Sequence, residues 1–295
     1  MIEALKDAGV PHARDEPLAG YTSMGVGGAA ALMAFPRTPE ELRRSLQARA
    51  ELGVPHRILG GGSNLVVADQ GLDELIVSTR RLRQVQLGAR GRVTAHGGAN
   101  LIGLVTRCGR AGWSGLQRAV GIPGSVGGAT VMNAGAYGFS ISDVLCDVLV
   151  YDGTGRACTP PGGWRFDYRA SSIPVGAAVA SVDVQLEPGD ARELVHEMRT
   201  LQLQRRRGQP LGRSAGCVFK NPPGAHAGRL IDEAGLKGVR IGAAVVSTRH
   251  ANFVVNEGGA RAADVLALLD LVRSTVARRT GVELELEVQV WSPAT

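Results

Sequence analysis

Apolar positions recur along this chain with two alternating periods. Leu42, Leu46 and Ala50 repeat at helical spacing behind Thr38-Pro39-Glu40-Glu41, which supplies an N-cap, a first-turn proline and early acids, and the repeat stops at Gly53. A short strand, Arg57-Ile-Leu59, then runs into Gly60-Gly61-Gly62-Ser63-Asn64-Leu65. Period-two strands follow at Glu74–Val77, Arg83–Leu87 and Arg92–His96, with a glycine-rich turn over residues 88–91. Asn100 caps a helix to about Gly112, a hairpin crosses Asp152-Gly153, and Val179–Leu186 is a strand closed by Glu187-Pro188-Gly189. From Asp190 a long helix places Leu194, Val195, Met198 and Leu201 on one face. A short helix over 227–234, strands near Val239–Val246 and Phe253–Val255, and a helix bearing Val265, Leu268, Leu269, Val272 and Val276 complete the pattern. The last segment, Val282–Val290, alternates cleanly and predicts a strand with its even positions in a core and Glu283, Glu285 and Glu287 on the other face. Intermixed periods give an α+β class, and the long helix at 190 sets a domain boundary near 188.

One stretch breaks both periods. Gly121-Ile122-Pro123-Gly124-Ser125-Val126-Gly127-Gly128 through Asn133-Ala134-Gly135-Ala136-Tyr137-Gly138 holds six glycines in eighteen residues. Such density is unsuited to propensity-driven helix or strand, because each glycine costs backbone entropy and adds no packing. Two readings are open: a glycine-rich connector, or a wall of backbone around a large, flat, partly anionic ligand. Gly60–Asn64 is likewise either a plain turn or an anion nest with Ser63 and Asn64 as donors, and it lacks the Gly-Lys-Ser/Thr ending of a P-loop. Gly25-Val26-Gly27-Gly28-Ala29-Ala30 fits the letters of a dinucleotide fingerprint. No strand is read before it and no helix after it, and Arg43, Arg44 and Ser45 stand where an acid is needed, so it is rejected.

Composition narrows the partners. With 295 residues, 44% hydrophobic and 20% charged, the chain is globular and long enough for two or three domains. The start lacks a signal peptide's cationic and apolar regions and no apolar run spans a bilayer, so a cytoplasmic protein without membrane insertion is expected. A net charge of +6 is spread in clusters such as Arg80-Arg81-Leu82-Arg83 and Arg205-Arg206-Arg207, read as solvated faces. With aromatics at 4%, nucleic acid is not expected, whereas a phosphate-bearing small molecule is. Cys108, Cys146, Cys158 and Cys217 show no metal or disulfide spacing. The first three read as buried small apolar residues, and no metal site is expected.

The ordered set of motifs resembles the UDP-N-acetylenolpyruvoylglucosamine reductases, also called UDP-N-acetylmuramate dehydrogenases. It comprises Tyr21-Thr22 with Gly27-Gly28, Gly60–Leu65, Gly121–Gly128 with Asn133–Gly138, Tyr168-Arg169-Ala170-Ser171, Gly216–Pro222, Ala227–Asp232, His250–Phe253 and Glu285-Leu286-Glu287-Val288. The compact link between Arg169 and Cys217 is similar to the family's shorter class. The resemblance implies a two-subdomain FAD-binding fold of the vanillyl-alcohol-oxidase type, residues 1–70 and 71–188, plus a C-terminal α+β substrate domain, 189–295. It implies FAD as cofactor and NADPH as co-substrate in the reduction of an enolpyruvyl UDP-sugar to UDP-N-acetylmuramate for peptidoglycan synthesis, with no obligate protein partner.

By the same resemblance, Gly60, Gly61, Gly62, Ser63, Asn64 and Leu65 bind cofactor, as do Gly121, Ile122, Pro123, Gly124, Ser125, Gly127, Gly128, Asn133, Ala134, Gly135, Ala136 and Tyr137. Tyr168, Lys220 and Asn221 bind substrate, and Arg169, Cys217 and Glu287 are catalytic. Two positions depart from the family's pattern: Cys217 stands where serine is usual as proton donor, and Ala243-Ala244 stand where glycine and glutamine are commoner. Two rival readings, an oxidase sharing the FAD fold and a nucleotide-sugar-binding protein without cofactor, are separated by the C-terminal motifs and by a flavin spectrum.

Overall fold

The computed structural model describes residues 1–293. Its α-helices in chain order are α1 (Ile2–Asp7), α2 (Pro39–Glu51), α3 (Leu101–Arg110), α4 (Val126–Val131), α5 (Ala191–Gly208), α6 (Ala227–Glu233) and α7 (Ala262–Thr280). The chain divides into two compact units that do not follow sequence order. Met1–Arg14, Leu32–Gly61 and Glu74–Leu203 form the first, while Asp15–Ala31, Gly62–Asp73 and the residues from Gln204 on form the second. One cause of the interleaving is a parallel pairing of Leu65–Val67 with Gln289–Trp291, which fixes an early strand beside the end of the chain.

The first unit is built on a five-stranded antiparallel sheet. Its strand order is Ala157–Cys158, Leu145–Tyr151, Ala178–Gln185, Arg92–His96, Val85–Leu87. Inward residues Val93, Ala95, Val148, Val182 and Val184 share a core with Leu101, Leu104, Val105 and Cys108 of α3 and Val126 of α4. A smaller core joins Leu5 of α1, Leu42 and Leu46 of α2, Leu75, Val77 and Ala178. Helix α2 starts where its capping sequence demands, with Thr38 Oγ1 accepting the Glu41 amide at 3.1 Å. Its first-turn Glu40 is held by Arg43 and Arg44, whose hydrogen bonds bring the carboxyl down to about 2. His56–Leu59 pairs in parallel with Leu75–Ser78 and delivers the chain to Gly60.

The second unit carries a four-stranded sheet in the order Arg213–Cys217, Phe253–Asn256, Ala244–Val246, Arg240–Ile241. Helices α6 and α7 cover it around Phe219, Ile231, Val246, Leu268 and Leu284. Asp69 caps α7, its carboxylate accepting the amides of Ala262 and Ala263 at 2.8 and 2.9 Å. A carboxylate there satisfies orphan amides and meets the positive end of the helix dipole.

Four expectations need correction. The glycine-rich stretch does contain helix: α4 lies inside it, its residues Val126, Gly127, Ala129 and Thr130 buried. Tertiary packing overrides propensity there, because the backbone of Gly127 rests on Gly97 with its amide donating to the Gly97 carbonyl at 2.7 Å. The strand expected over 282–290 reduces to Gln289–Trp291, preceded by a single bridge between Phe219 and Leu286. The alternation itself survives, with Leu284 and Val288 buried and Glu283 and Glu285 exposed. Of the three cysteines read as buried, only Cys108 is; Cys158 is half-buried and Cys146 exposed. A strand, His12–Pro17, does precede the fingerprint-like glycines, but Ala29–Ala34 after them is strand rather than helix, so the rejection stands.

Candidate active site

Within the first unit, the glycines at 60–61 and 121–128 pack on one another. A Cβ at Gly60 would lie 2.5 Å from Ser125 Oγ, and one at Gly61 would lie 2.5 Å from Gly124 Cα. The Gly61 amide donates to Ser125 Oγ at 3.2 Å, and the same hydroxyl caps α4 by accepting the Gly128 amide at 3.3 Å. Arg80 closes the arrangement, its guanidinium donating to the Gly61 carbonyl at 3.2 Å. By sequence that arginine belongs to a solvated cluster. No sequence signal marks it, since only the turn after Ser78 brings it back to the loop.

The close approach leaves donors without acceptors. Gly124, at φ 115°, and Ser125, only 5% exposed, find no acceptor for their amides among the described residues. Amides at a helix start with no protein partner suit the oxygens of a diphosphate. The residues therefore fit the phosphate portion of FAD. Ile122 is buried beside them, and Pro123 lies between it and Gly124.

Further along, Asn133 adopts φ 41° and Tyr137 φ 54°. The Asn133 carboxamide donates to the Asp167 carbonyl at 3.0 Å and accepts the Ser142 amide at 3.3 Å. Gly135-Ala136 pairs with Phe139-Ser140, and the Ala134 carbonyl accepts the Ile141 amide at 3.0 Å. The Tyr137 hydroxyl donates to the Leu201 carbonyl at 3.3 Å. The side chains of Asn133 and Tyr137 are thus engaged inside the unit. Asn133 also steadies the Phe166–Ser171 hairpin, whose turn is Tyr168-Arg169. Arg169, at φ 56°, donates to the Gly135 carbonyl at 3.1 Å and stacks over the Tyr168 ring with 5.1 Å to its centroid.

In the second unit, Gly62 sits at φ 67° with the Tyr21 carbonyl where a Cβ would be, so only glycine fits. Ser23 fastens this segment, its amide on the Gly62 carbonyl at 2.9 Å and its hydroxyl on the Ser214 carbonyl at 2.6 Å, with the Ser63 carbonyl further off at 3.3 Å. Asn64 donates from Nδ2 to the Glu287 carbonyl at 2.9 Å and accepts the Gln289 amide at 3.1 Å, and Leu65 opens the strand paired with Gln289.

Cys217 ends its strand just past an irregularity. Pairing moves from Ser214–Val255 to Cys217–Phe253, so the cysteine strand carries one extra residue, and Gly216 adopts φ 78° there. A bulge of this kind re-aims the side chain that follows it. Beyond it, the Val218 carbonyl accepts the Glu287 amide at 2.9 Å, and the Lys220 amide donates to the Glu285 carbonyl at 2.8 Å. Cys217 and Glu287 are therefore brought to adjoining stretches of backbone. Glu287 is half-buried where its two neighbours in the alternation are exposed. Lys220 Nζ pairs with Glu285 at 2.5 Å, and Asn221 Oδ1 accepts the Ala227 amide at 3.0 Å at the start of α6. Ala244 is fully buried in the sheet, so a polar contact at that position has no counterpart here. The described residues contain no group of side chains arranged to hold a metal ion.

Comparison with known proteins agrees over nearly the whole chain. Residues 209–291 match the family described as UDP-N-acetylenolpyruvoylglucosamine reductase, C-terminal domain, and residues 18–159 match an FAD binding domain. The chain is 44% identical to the UDP-N-acetylenolpyruvoylglucosamine reductase of Moorella thermoacetica, covering 94% of this chain and 92% of that protein. It is 42% identical to the enzyme of that name from Deinococcus radiodurans, over 93% and 94% of the two. The crystal structure of UDP-N-acetylenolpyruvylglucosamine reductase from Thermus caldophilus matches with a TM-score of 0.82 at 40% identity, over 96% of this chain and 99% of that one. A variant of berberine bridge enzyme shares the fold alone, with a TM-score of 0.51 at 14% identity over 64% of this chain and 44% of that one.

Proposed function

The chain belongs to the UDP-N-acetylenolpyruvoylglucosamine reductase family, and from that premise we propose how its residues divide the work. The enzyme is an FAD-dependent oxidoreductase that reduces the enolpyruvyl ether of UDP-N-acetylglucosamine to UDP-N-acetylmuramate with NADPH, a step of peptidoglycan precursor synthesis. Its fold is the expected one, an FAD-binding portion of the vanillyl-alcohol-oxidase type with a C-terminal α+β domain. We place it in the cytoplasm, acting on small molecules without an obligate protein partner. Among the described residues no helix is long and apolar enough to cross a membrane.

Residues 1–70 and 71–188 are proposed as the FAD-binding subdomains and 189–295 as the substrate domain. FAD would be held by Gly60–Leu65, Gly121–Gly128 and residues 133–137, with the amides of Gly124 and Ser125 available to its diphosphate and Arg80 adding positive charge. FAD held there would supply the hydride-transfer chemistry, with NADPH as reductant and the enolpyruvyl methylene carbon as the acceptor. Hydride addition drives negative charge onto the conjugated carboxylate, which a fixed cation or donor stabilises. Arg169 is assigned that role, its guanidinium already oriented by the Gly135 carbonyl and the Tyr168 ring. The α-carbon must then take a proton, and a thiol, with an ordinary pKa near 8.5, is a far stronger acid than a serine hydroxyl. Cys217 is the proposed donor, with Glu287 acting beside the substrate carboxylate and Tyr168, Lys220 and Asn221 contacting the UDP-sugar.

The observation that carries this reading is the Glu287–Val218 hydrogen bond, which puts Glu287 on the backbone adjoining Cys217. The test is single-turnover recovery of flavin absorbance by the enolpyruvyl substrate after reduction with NADPH. Cys217→Ser should retain turnover, and Cys217→Ala should slow the recovery while flavin reduction stays at the wild-type rate. An alanine variant as fast as wild type would remove Cys217 from the mechanism.

A further inference from the structure

Asn252 lies in the His250-Ala251-Asn252-Phe253 motif, to which the functional reading assigns no task. It is 3% exposed, and its carboxamide is bonded through both ends to the main chain of Phe219. Oδ1 accepts the Phe219 amide at 3.0 Å and Nδ2 donates to the Phe219 carbonyl at 2.8 Å. The Asn252 carbonyl also accepts the Val218 amide at 3.0 Å. The strand that pairs with Cys217 begins at Phe253, and after the Val218–Asn252 bond it offers no further backbone ladder. The side chain of Asn252 takes over where that ladder stops, because a carboxamide presents a donor and an acceptor with the pattern of a peptide group.

The consequence is local to the active cysteine. The chain leaves the bulge at Gly216, turns the Cys217 side chain, and is gripped at Val218 and Phe219 by Asn252 on one side. On the other side the same residues meet Glu287 and Leu286. The ring of His250 packs edge-on to Phe253 at 5.0 Å, and its Nδ1 accepts the Asn252 amide at 3.3 Å, which fixes the Asn252 backbone in turn.

We propose that Asn252 is a positioning residue for proton delivery, holding the Cys217–Lys220 segment so that the thiol is aimed at the substrate. This rests on the reading of Cys217 as proton donor. Asn252→Asp keeps size and acceptors but sets a carboxylate against the Phe219 carbonyl, where a donor is required. A displacement of the segment by about 1 Å is expected to slow substrate-driven flavin recovery on the order of 10- to 100-fold. Flavin reduction by NADPH and FAD content should be unchanged.

A double-mutant cycle separates this inference from the one it rests on. If Asn252 acts through Cys217, Asn252→Asp added to Cys217→Ala slows recovery no further than Cys217→Ala alone. Full additivity of the two losses, or wild-type recovery in a folded, FAD-loaded Asn252→Asp protein, overturns the positioning role. Normal recovery in Cys217→Ala overturns the proton-donor reading instead, whatever Asn252 does. Should Asn252→Asp fail to bind FAD, Asn252→Ser, which removes the clamp without a misplaced charge, is put through the same cycle with the same two deciding outcomes.

Discussion

Gly61→Ala adds one methyl group where two loops already touch. Its Cβ would stand 2.5 Å from Gly124 Cα and 2.9 Å from both Gly124 C and Ser125 N. Ordinary carbon–carbon contact is about 3.5–4 Å, so the deficit is about 1 Å. All three neighbours are backbone atoms, and no rotamer change can relieve the clash. Overpacking of this sort costs about 1–3 kcal/mol, against a gain of about 0.4–1 kcal/mol from the stiffer unfolded chain, because Gly61 does not need a left-handed φ. The net loss is about 1 kcal/mol or somewhat more, worth roughly 2–5 °C in Tm for a protein of this size. Parting the loops also draws the Gly61 amide from Ser125 Oγ and shifts the unpaired amides of Gly124 and Ser125, so FAD affinity should fall with stability. Thermal unfolding with and without FAD, alongside a flavin fluorescence titration, measures both. Gly208→Ala, with open space around its Cβ and no left-handed φ, is the control and should be neutral or slightly stabilising. A Gly61→Ala protein that melts with wild type and binds FAD equally well would refute the loop-on-loop contact.

Two other predictions concern titration and reactivity. Burial holds His56, His96 and His250 below their ordinary pKa of 6.5. Each is kept neutral by the fold, so its contribution to stability is complete above pH 6.5 and is lost as pH falls from there through the lowered folded value. Denaturant midpoints should therefore drop just below pH 6.5, ahead of any carboxylate effect, and a flat midpoint across that window contradicts the burial of these rings. Burial also pushes the Cys108 thiol up to about 11, whereas Cys146 is exposed. Alkylation of the native protein near neutral pH should modify Cys146 and spare Cys108, as peptide mass mapping would show; rapid modification of Cys108 would contradict its packing.

Much of this molecule is legible in its sequence where local chemistry and tertiary context agree. Thr38 and Asn100 cap helices in the structure as their sequences predict, and α5 starts one residue after Asp190. The failures share a physical cause, which is packing between segments far apart in the chain. Apart from the Ser125 cap, nothing near Val126 predicts helix, because α4 also rests on the backbone of Gly97. The alternation of 282–288 gives the inward Leu284 and Val288 and the outward Glu283 and Glu285 but not the hydrogen-bond partners, which are Val218–Lys220 and Asn64. Arg80 and Asn252 stand in stretches that the sequence marks, but their partners are not legible there: each acts on a main-chain group reached only through tertiary structure. The glycine density leaves a connector and an approach to a ligand both open, and in the structure many of these glycines let backbone approach backbone.

The most direct test of the central claim is a two-step anaerobic experiment on the purified flavoprotein. NADPH should bleach the flavin absorbance, and the enolpyruvyl ether of UDP-N-acetylglucosamine should restore it with formation of UDP-N-acetylmuramate in equal amount. A flavin that NADPH reduces but that this substrate leaves bleached, or a protein that cannot be loaded with FAD, would contradict the account.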